Sequence, residues 1–360
     1  VGHAIACVAL AASLHGWRVS WPPELHALSS VDMQRALGLG QHKGKWGHML
    51  SQDVPDLLLY VDTTPQQLQS IGNVTALATC SALPNCGSSP NELAAPEGIV
   101  DWPVIHQVHA ATLSWGEKRE ALTCSLFPKR KVMQSPTNLT AVEAIMRRRS
   151  AVSLDGEMWL SRKEFLHILG TTLPRAESPV FNPLLCAQPR IDLVIFVHRI
   201  KGLDPGTYLL HRTSQNVLED YQALMTSGKL EWQQTAPKEL PELYLLRKGD
   251  LREVSKQVSC FQDIAADGAF SLGMLGDFRG WRSAHCYKEL FWESGMIGQM
   301  LYLAAEANGV GGTGIGCFMD DGVHALLGLV PFEQITSGSQ EFVEHLHAER
   351  EPPAMPFCSL

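Results

Sequence analysis

No stretch of 18 or more consecutive apolar residues occurs in this 360-residue chain, so nothing in it reads as a membrane-spanning helix. A surplus of positive charge is missing too. The chain has 29 Lys and Arg against 37 Asp and Glu, a net charge of −8. That argues against a nucleic-acid partner, because no basic field gathers phosphates. The nine cysteines include no C-x-x-C pair. The nearest two, Cys80 and Cys86, match no common zinc spacing. His106 and His109 form an H-x-x-H without an intervening glutamate or an evident third ligand. The expectation is therefore no metal, with reduced thiols in a cytoplasmic setting. A G-x-S-x-G elbow and a Gly-Lys-Ser/Thr phosphate loop are both absent, which removes support for a hydrolase triad or a P-loop. An initiator methionine and a charged leader are also lacking. The apolar opening reads as a core helix within a fragment, not as a signal peptide.

What is present describes a globular chain, with 45% hydrophobic and 18% charged residues. Its organisation shows in an internal repeat. "GHAIACVALAASLHGW" (2–17) aligns with "GMIGQMLYLAAEANGV" (295–310), pairing Gly2 with Gly295 and Gly16 with Gly309. After a shift of three residues, "RALGL" (35–39) matches "ALLGL" (325–329). Each copy reads as a long apolar helix, a glycine stop, a short extended piece and a short helix. The copies differ after the long helix, where "GGTGIGCF" (311–318) stands against "RVSWPPEL" (18–25). Only the second keeps glycines that let a ligand approach the backbone.

Between the copies, "PDLLLYVD" (55–62) reads as a strand, and 63–140 as a long connection with a short helix near 102–113. Thr140 and Glu143 form a capping-box pair that opens a short helix. "IDLVIFV" (191–197), "TYLLHR" (207–212), "LPELYLL" (240–246), "AADGAFSLGML" (265–275) and the glycine-rich segment read as strands. Helices lie around 250–262 and 285–308. This pattern predicts an α+β fold, a mixed or antiparallel sheet flanked by helices. The domain expectation is 1–70 as the end of a first copy and 71–139 as a linker. The second copy then spans 140–335, with a divergent polar tail over 336–360 and no closing strand evident past Leu329.

Three consecutive arginines in "IMRRRSAVSLDG" (145–156) stand out in an acidic chain. They suit a helix C-terminus, whose carbonyls favour cations. They also suit a phosphate clamp, because guanidinium forks bind phosphate oxygens in pairs and Ser150 adds a donor. "GGTGIG" fits neither the dinucleotide fingerprint nor its strand–turn–helix context. Gln262, Asp263 and Asp267 beside a strand could serve a site or simply make turns and caps.

"RRRSAVSLDG", "LVIFVHRIKGLDPGTYLLHR", "SCFQDIAADGAFSLGML", "LFWESGMIGQMLYLAAEANGVGGTGIGCF" and "DDGVHALLGL" cover 140–330 almost continuously. In this order they resemble the nitroreductase superfamily, and within it the SagB-type dehydrogenases. The resemblance implies a tandem pseudo-dimer, or a homodimer, that binds FMN at the interface of two α+β sandwiches. It assigns Arg148 and Ser150 to the FMN phosphate and ribityl chain, with Arg147 and Arg149 flanking. Gly312, Thr313, Gly314, Ile315 and Gly316 fall on the glycine-rich strand beside the flavin. The implied activity is an FMN-dependent oxidoreductase passing hydride through flavin N5, with NAD(P)H as a reductant and a small-molecule or peptide substrate. No catalytic side chain is assigned. The alternative is a catalytically degenerate nitroreductase-like scaffold that binds a peptide or partner without turnover. Val152 points that way, because many members carry a second basic residue at its position.

Overall fold

The computed structural model describes residues 1–21, 25, 28–36, 55–63, 103–113, 137–175, 178–181, 189–213, 215–225, 230–236, 238–278, 284–329 and 357–359. The expected linker and tail lie largely outside them. The elements begin with α1 (Gly2–Leu14), β1 (Arg18–Ser20), α2 (Ser30–Ala36), β2 (Tyr60–Asp62), α3 (Pro103–Ala111) and α4 (Ala141–Arg147). There follow β3 (Leu160–Ser161), α5 (Arg162–Gly170), β4 (Ile191–Val197), β5 (Ile200–Lys201), β6 (Gly206–Leu210), α6 (Gln215–Leu224) and β7 (Gln233–Gln234). Then come β8 (Leu243–Lys248), α7 (Arg252–Val258), α8 (Ile264–Asp267), β9 (Phe270–Gly276), α9 (Cys286–Ala307), β10 (Thr313–Ile315), α10 (Asp320–Leu327) and β11 (Phe357–Ser359).

Seven strands form one sheet in the order β10-β11-β9-β4-β6-β8-β7, and every neighbouring pair is antiparallel. The α+β expectation holds. The continuous apolar run of β4 is explained by burial on both faces. Leu193, Ile195 and Val197 enter one core with Phe165 and Ile168 of α5, Leu290 and Leu301 of α9, and Ile5 and Ala9 of α1. Val194 and Phe196 face the other way, against Leu218 of α6, Val258 of α7 and Leu327 of α10. Alternation along an extended chain sends these residues to opposite faces.

Asp192 is the polar exception in β4 and is fully buried. Its carboxylate accepts the Thr213 hydroxyl at 2.9 Å and the His211 Nδ1–H at 3.1 Å. Next to it, Arg212 pairs with Glu293 at 2.8 Å and donates through Nε to the Thr172 carbonyl at 2.9 Å. Desolvation drives the Glu293 carboxyl above its ordinary pKa, against the pull of Arg212. This network bolts the middle of α9 to the sheet.

The two segments aligned in sequence share a local backbone pattern. Gly309 lies at φ +75° and Gly16 at φ +73°, each just past its helix. The two ends close identically. Gly16 N–H donates to Ser13 O and Trp17 N–H to Ala12 O, and Gly309 N–H to Glu306 O and Val310 N–H to Ala305 O. These are the paired bonds of a left-handed glycine cap. After each cap come a strand and a short helix: β1 and α2 in the first copy, β10 and α10 in the second. A further strand pairs antiparallel with the first in both cases, β2 with β1 and β11 with β10. The reading that no closing strand follows Leu329 is thereby corrected. The three residues of β11 are too few to show a period, and they lie some forty residues past β10. Gly2 and Gly295, paired by the repeat, also touch in space: a Cβ on Gly2 would fall 2.8 Å from the Gly295 Cα.

The reduced-thiol expectation also needs correction at one pair. Cys260 and Cys317 form a disulfide across 57 residues of sequence, with Cα atoms 5.8 Å apart. Pairing over that separation is set by the fold and leaves no mark in the spacing. Among the described residues, no helix is long and apolar enough to cross a membrane.

Candidate functional site

α4 begins with the capping box read from sequence. Thr140 Oγ1 accepts from the Glu143 N–H at 3.2 Å, and the Glu143 carboxylate accepts the Thr140 N–H at 2.9 Å. The Thr140 N–H, and then its hydroxyl at 2.8 Å, donate to the Glu143 carboxylate and hold it below its usual range. The helix ends at Arg147, and the three arginines then separate. Arg149 turns back on the helix end, donating through Nη1 to the carbonyls of Arg148 at 2.8 Å and Met146 at 3.1 Å. It serves the helix terminus, as cations there do. Arg148 instead places its guanidinium carbon 5.1 Å from the ring centroid of Tyr302 on α9. Arg147 is exposed on the last turn. Among the described residues, none of the three is in an ion pair.

Past the arginines the chain runs alongside the glycine strand. Ser150 and Gly312 form a parallel bridge, and Ala151 N–H donates to Gly312 O at 2.9 Å. The Tyr302 hydroxyl accepts the Gly314 N–H at 2.8 Å and lies 3.2 Å from Ser150 Oγ. Arg148, Ser150 and Gly314 thus converge on one tyrosine, with Gly312 bridged to Ser150 beside it. Ile315 faces away into the second core, 3% exposed, and Thr313 is half-buried. Among the described residues, a Cβ on Gly316 would meet nothing within 4 Å, and the residue carries no positive φ. Neither packing nor backbone conformation requires a glycine there. It leaves open a space that a side chain would fill.

Tyr302 was missed by the sequence reading, although the repeat held a signal. The alignment of 2–17 with 295–310 sets Tyr302 against Ala9, a polar ring against a buried methyl. The first copy reaches the same region through His3, whose ring centroid is 6.0 Å from that of Tyr302. Its Nδ1 lies 3.1 Å from Gln299 Oε1.

The loop after Ser150 is tied down by structural contacts. Asp155 accepts the N–H groups of Glu157 and Met158 at 2.9 and 3.0 Å, which lowers its carboxyl pKa. Gly156 sits at φ +73°, where an added Cβ would be 3.3 Å from an Asp267 carboxylate oxygen. Asp263 pairs with Lys256 at 2.6 Å. Gln262 donates to Ser259 O at 2.9 Å and to Cys317 O at 3.4 Å. Gln262 and Asp263 thus shape a corner. Val152 is 96% exposed. Among the described residues, no group of three or more His, Cys, Asp or Glu side chains is arranged to hold a metal.

No family model matches the chain, and no curated protein matches it. Among solved structures, the chain matches an Anabaena variabilis protein described as a "putative nitroreductase" with a TM-score of 0.62 at 19% identity. The match covers 99% of this chain and 63% of that one, so these residues span less than two thirds of the Anabaena protein. A Ralstonia eutropha protein carrying the same description gives a TM-score of 0.37 at 12% identity, over 67% of this chain and 91% of that one. The first likeness agrees with the sheet and the helix pairing described above: the chain has a nitroreductase-like α+β fold.

Proposed function

We propose that this chain is part of an FMN-dependent oxidoreductase of SagB type. In this reading α1 and α9 are equivalent helices of a tandem pseudo-dimer, as the contact of Gly2 with Gly295 favours. The observation that carries the assignment is the convergence on Tyr302 of a guanidinium without an ion pair among the described residues, a hydroxyl and a glycine strand. The donor set suits FMN. Arg148 offers paired donors and a positive charge to a phosphate, Ser150 adds a hydroxyl, and the backbone beside Gly316 leaves room for a flat ring. Arg147 adds charge at the rim. Arg149, committed to the helix end, contributes indirectly by fixing the turn that presents Arg148. Bound flavin would supply hydride chemistry at N5, with NAD(P)H as a reductant. The protein's part is to bind, orient and exclude water, and no protein nucleophile is needed. A small-molecule or peptide substrate and a cytoplasmic setting complete the proposal.

FMN titrated into the purified chain, followed by quenching of flavin fluorescence, tests the assignment. Binding should weaken at least tenfold in Arg148→Ala, with far-UV circular dichroism unchanged, and full retention in that variant refutes the clamp. The degenerate-scaffold reading has one observation in its favour: Val152 projects into solvent and offers nothing to a ligand. Flavin that binds but is never bleached by NAD(P)H or a substrate supports that reading.

A further inference from the structure

We propose that Cys260 and Cys317 form a thiol–disulfide exchange site whose state sets how firmly the glycine strand is held. The inference rests on reading β10 as the cofactor strand. β10 has only three residues and lies at the edge of the sheet, with β11 as its single strand neighbour among the described residues. Its entrance is fixed by the Ser150–Gly312 bridge. Its exit passes through Gly316, where nothing packs, straight into Cys317. The disulfide joins that exit to the corner between α7 and α8. Two hydrogen bonds support the same junction, Gln262 Nε2 to Cys317 O at 3.4 Å and Met319 N–H to Val258 O at 2.7 Å. Reduction therefore loosens the strand without releasing it.

A second observation marks this corner. Cys260 and Phe261 have φ values of +54° and +60°, consecutive left-handed residues without a glycine. Such conformations persist where the surroundings enforce them, and they gather at switching elements. Phe261 is 62% exposed, and its N–H donates to Lys256 O at 2.8 Å, so a helix-end bond and the disulfide together hold the corner. Cys317 is exposed and Cys260 half-buried, so an incoming thiolate can reach the bond. The co-reactant is a dithiol, either small or on a redox protein. One of its sulfurs attacks Cys317, and Cys260 leaves as a thiolate and takes a proton. The second sulfur of the dithiol then resolves the mixed disulfide. Two electrons and two protons pass to the protein, and the dithiol leaves as a disulfide. The corner then relaxes, and the strand carrying Gly314 gains freedom.

The test is hydrogen exchange, read by mass spectrometry on the 360-residue chain before and after dithiothreitol, with peptide mapping of the cysteines. Reduction should speed exchange at Gly314 and Ile315 at least tenfold and leave β4 unchanged. Cys260→Ser/Cys317→Ser should show the fast rate at once and no response to reductant. A bond absent from the air-oxidised protein, or exchange indifferent to reduction, overturns the proposal, and neither result depends on a variant folding. FMN titration in both states separates this idea from the flavin assignment. Exchange that responds while FMN binds in neither state sinks the flavin and leaves the switch. FMN bound over a strand that ignores reductant does the reverse.

Discussion

Replacing Gly295 by Ala probes the close approach of α1 and α9. A methyl carbon there would fall 2.7 Å from the His3 backbone nitrogen and 2.8 Å from the Gly2 Cα. Both obstacles are main chain of α1, which can yield only by moving the whole helix. Crowding of this kind costs about 1–3 kcal/mol, toward the upper end where backbone must shift. Against it, alanine in a helix interior gains about 1 kcal/mol over glycine. The expected net loss for Gly295→Ala is about 2 kcal/mol. Gly298, one turn along, supplies the control: its added Cβ would meet only the His3 imidazole, at 3.0 Å. A side chain can rotate aside, so Gly298→Ala should be neutral or more stable by up to about 1 kcal/mol. Urea unfolding followed by tryptophan fluorescence is a suitable assay, because Trp21 and Trp292 meet at 5.3 Å between ring centroids beside this contact. The midpoint of Gly295→Ala should fall by roughly 0.5–1 M urea relative to Gly298→Ala. Equal midpoints for the two variants would refute the close helix crossing.

Two further outcomes follow from buried charge. Arg212→Met strands the Glu293 carboxylate in the core and should destabilise by about 3–5 kcal/mol, whereas Arg212→Met/Glu293→Met should recover most of that loss. A single variant as stable as the double, in the same urea assay, would show that the pair is not buried. His198 is held neutral in the fold, its pKa pushed down from 6.5 to about 4, chiefly by burial and against a hydrogen bond to Ala265 O. The unfolded chain binds the proton first, so this contribution is complete above pH 6.5 and is lost as pH falls toward 4. Between pH 7 and pH 5 it amounts to about 2 kcal/mol. His198→Asn should flatten the pH dependence of unfolding free energy by that amount, and an unchanged slope would refute the burial argument.

Sequence revealed the elements whose pattern is strictly local. β4 was readable because an apolar run of seven is what burial on two faces requires. The start of α4 was readable because a capping box has a fixed spacing. The repeat exposed the shared helix–glycine–strand order of the two halves, down to the left-handed Gly16 and Gly309. Hidden were features that exist only once the chain is folded. Tyr302 matters through partners 152 and 12 residues away, and the cystine spans 57. Of the three arginines, adjacent in sequence, geometry assigned one to the helix end and one to the tyrosine. No spacing rule separates them. α6, amphipathic and only ten residues long, went unread beside stronger strand signals.

The order of the sheet has a consequence for how the molecule is assembled. Among the described residues, β10 touches the rest of the sheet through β11 alone, and β11 arrives some forty residues later in the chain. During synthesis the glycine strand therefore emerges without its sheet partner, and it must wait while the β4–β6–β8 meander can already pair. Chain folded up to Leu329 would have its meander in place but an unfinished sheet edge at β10. A stop codon or proteolytic cut before Phe357 would therefore remove the strand partner of β10 while leaving the β4–β6–β8 meander able to pair.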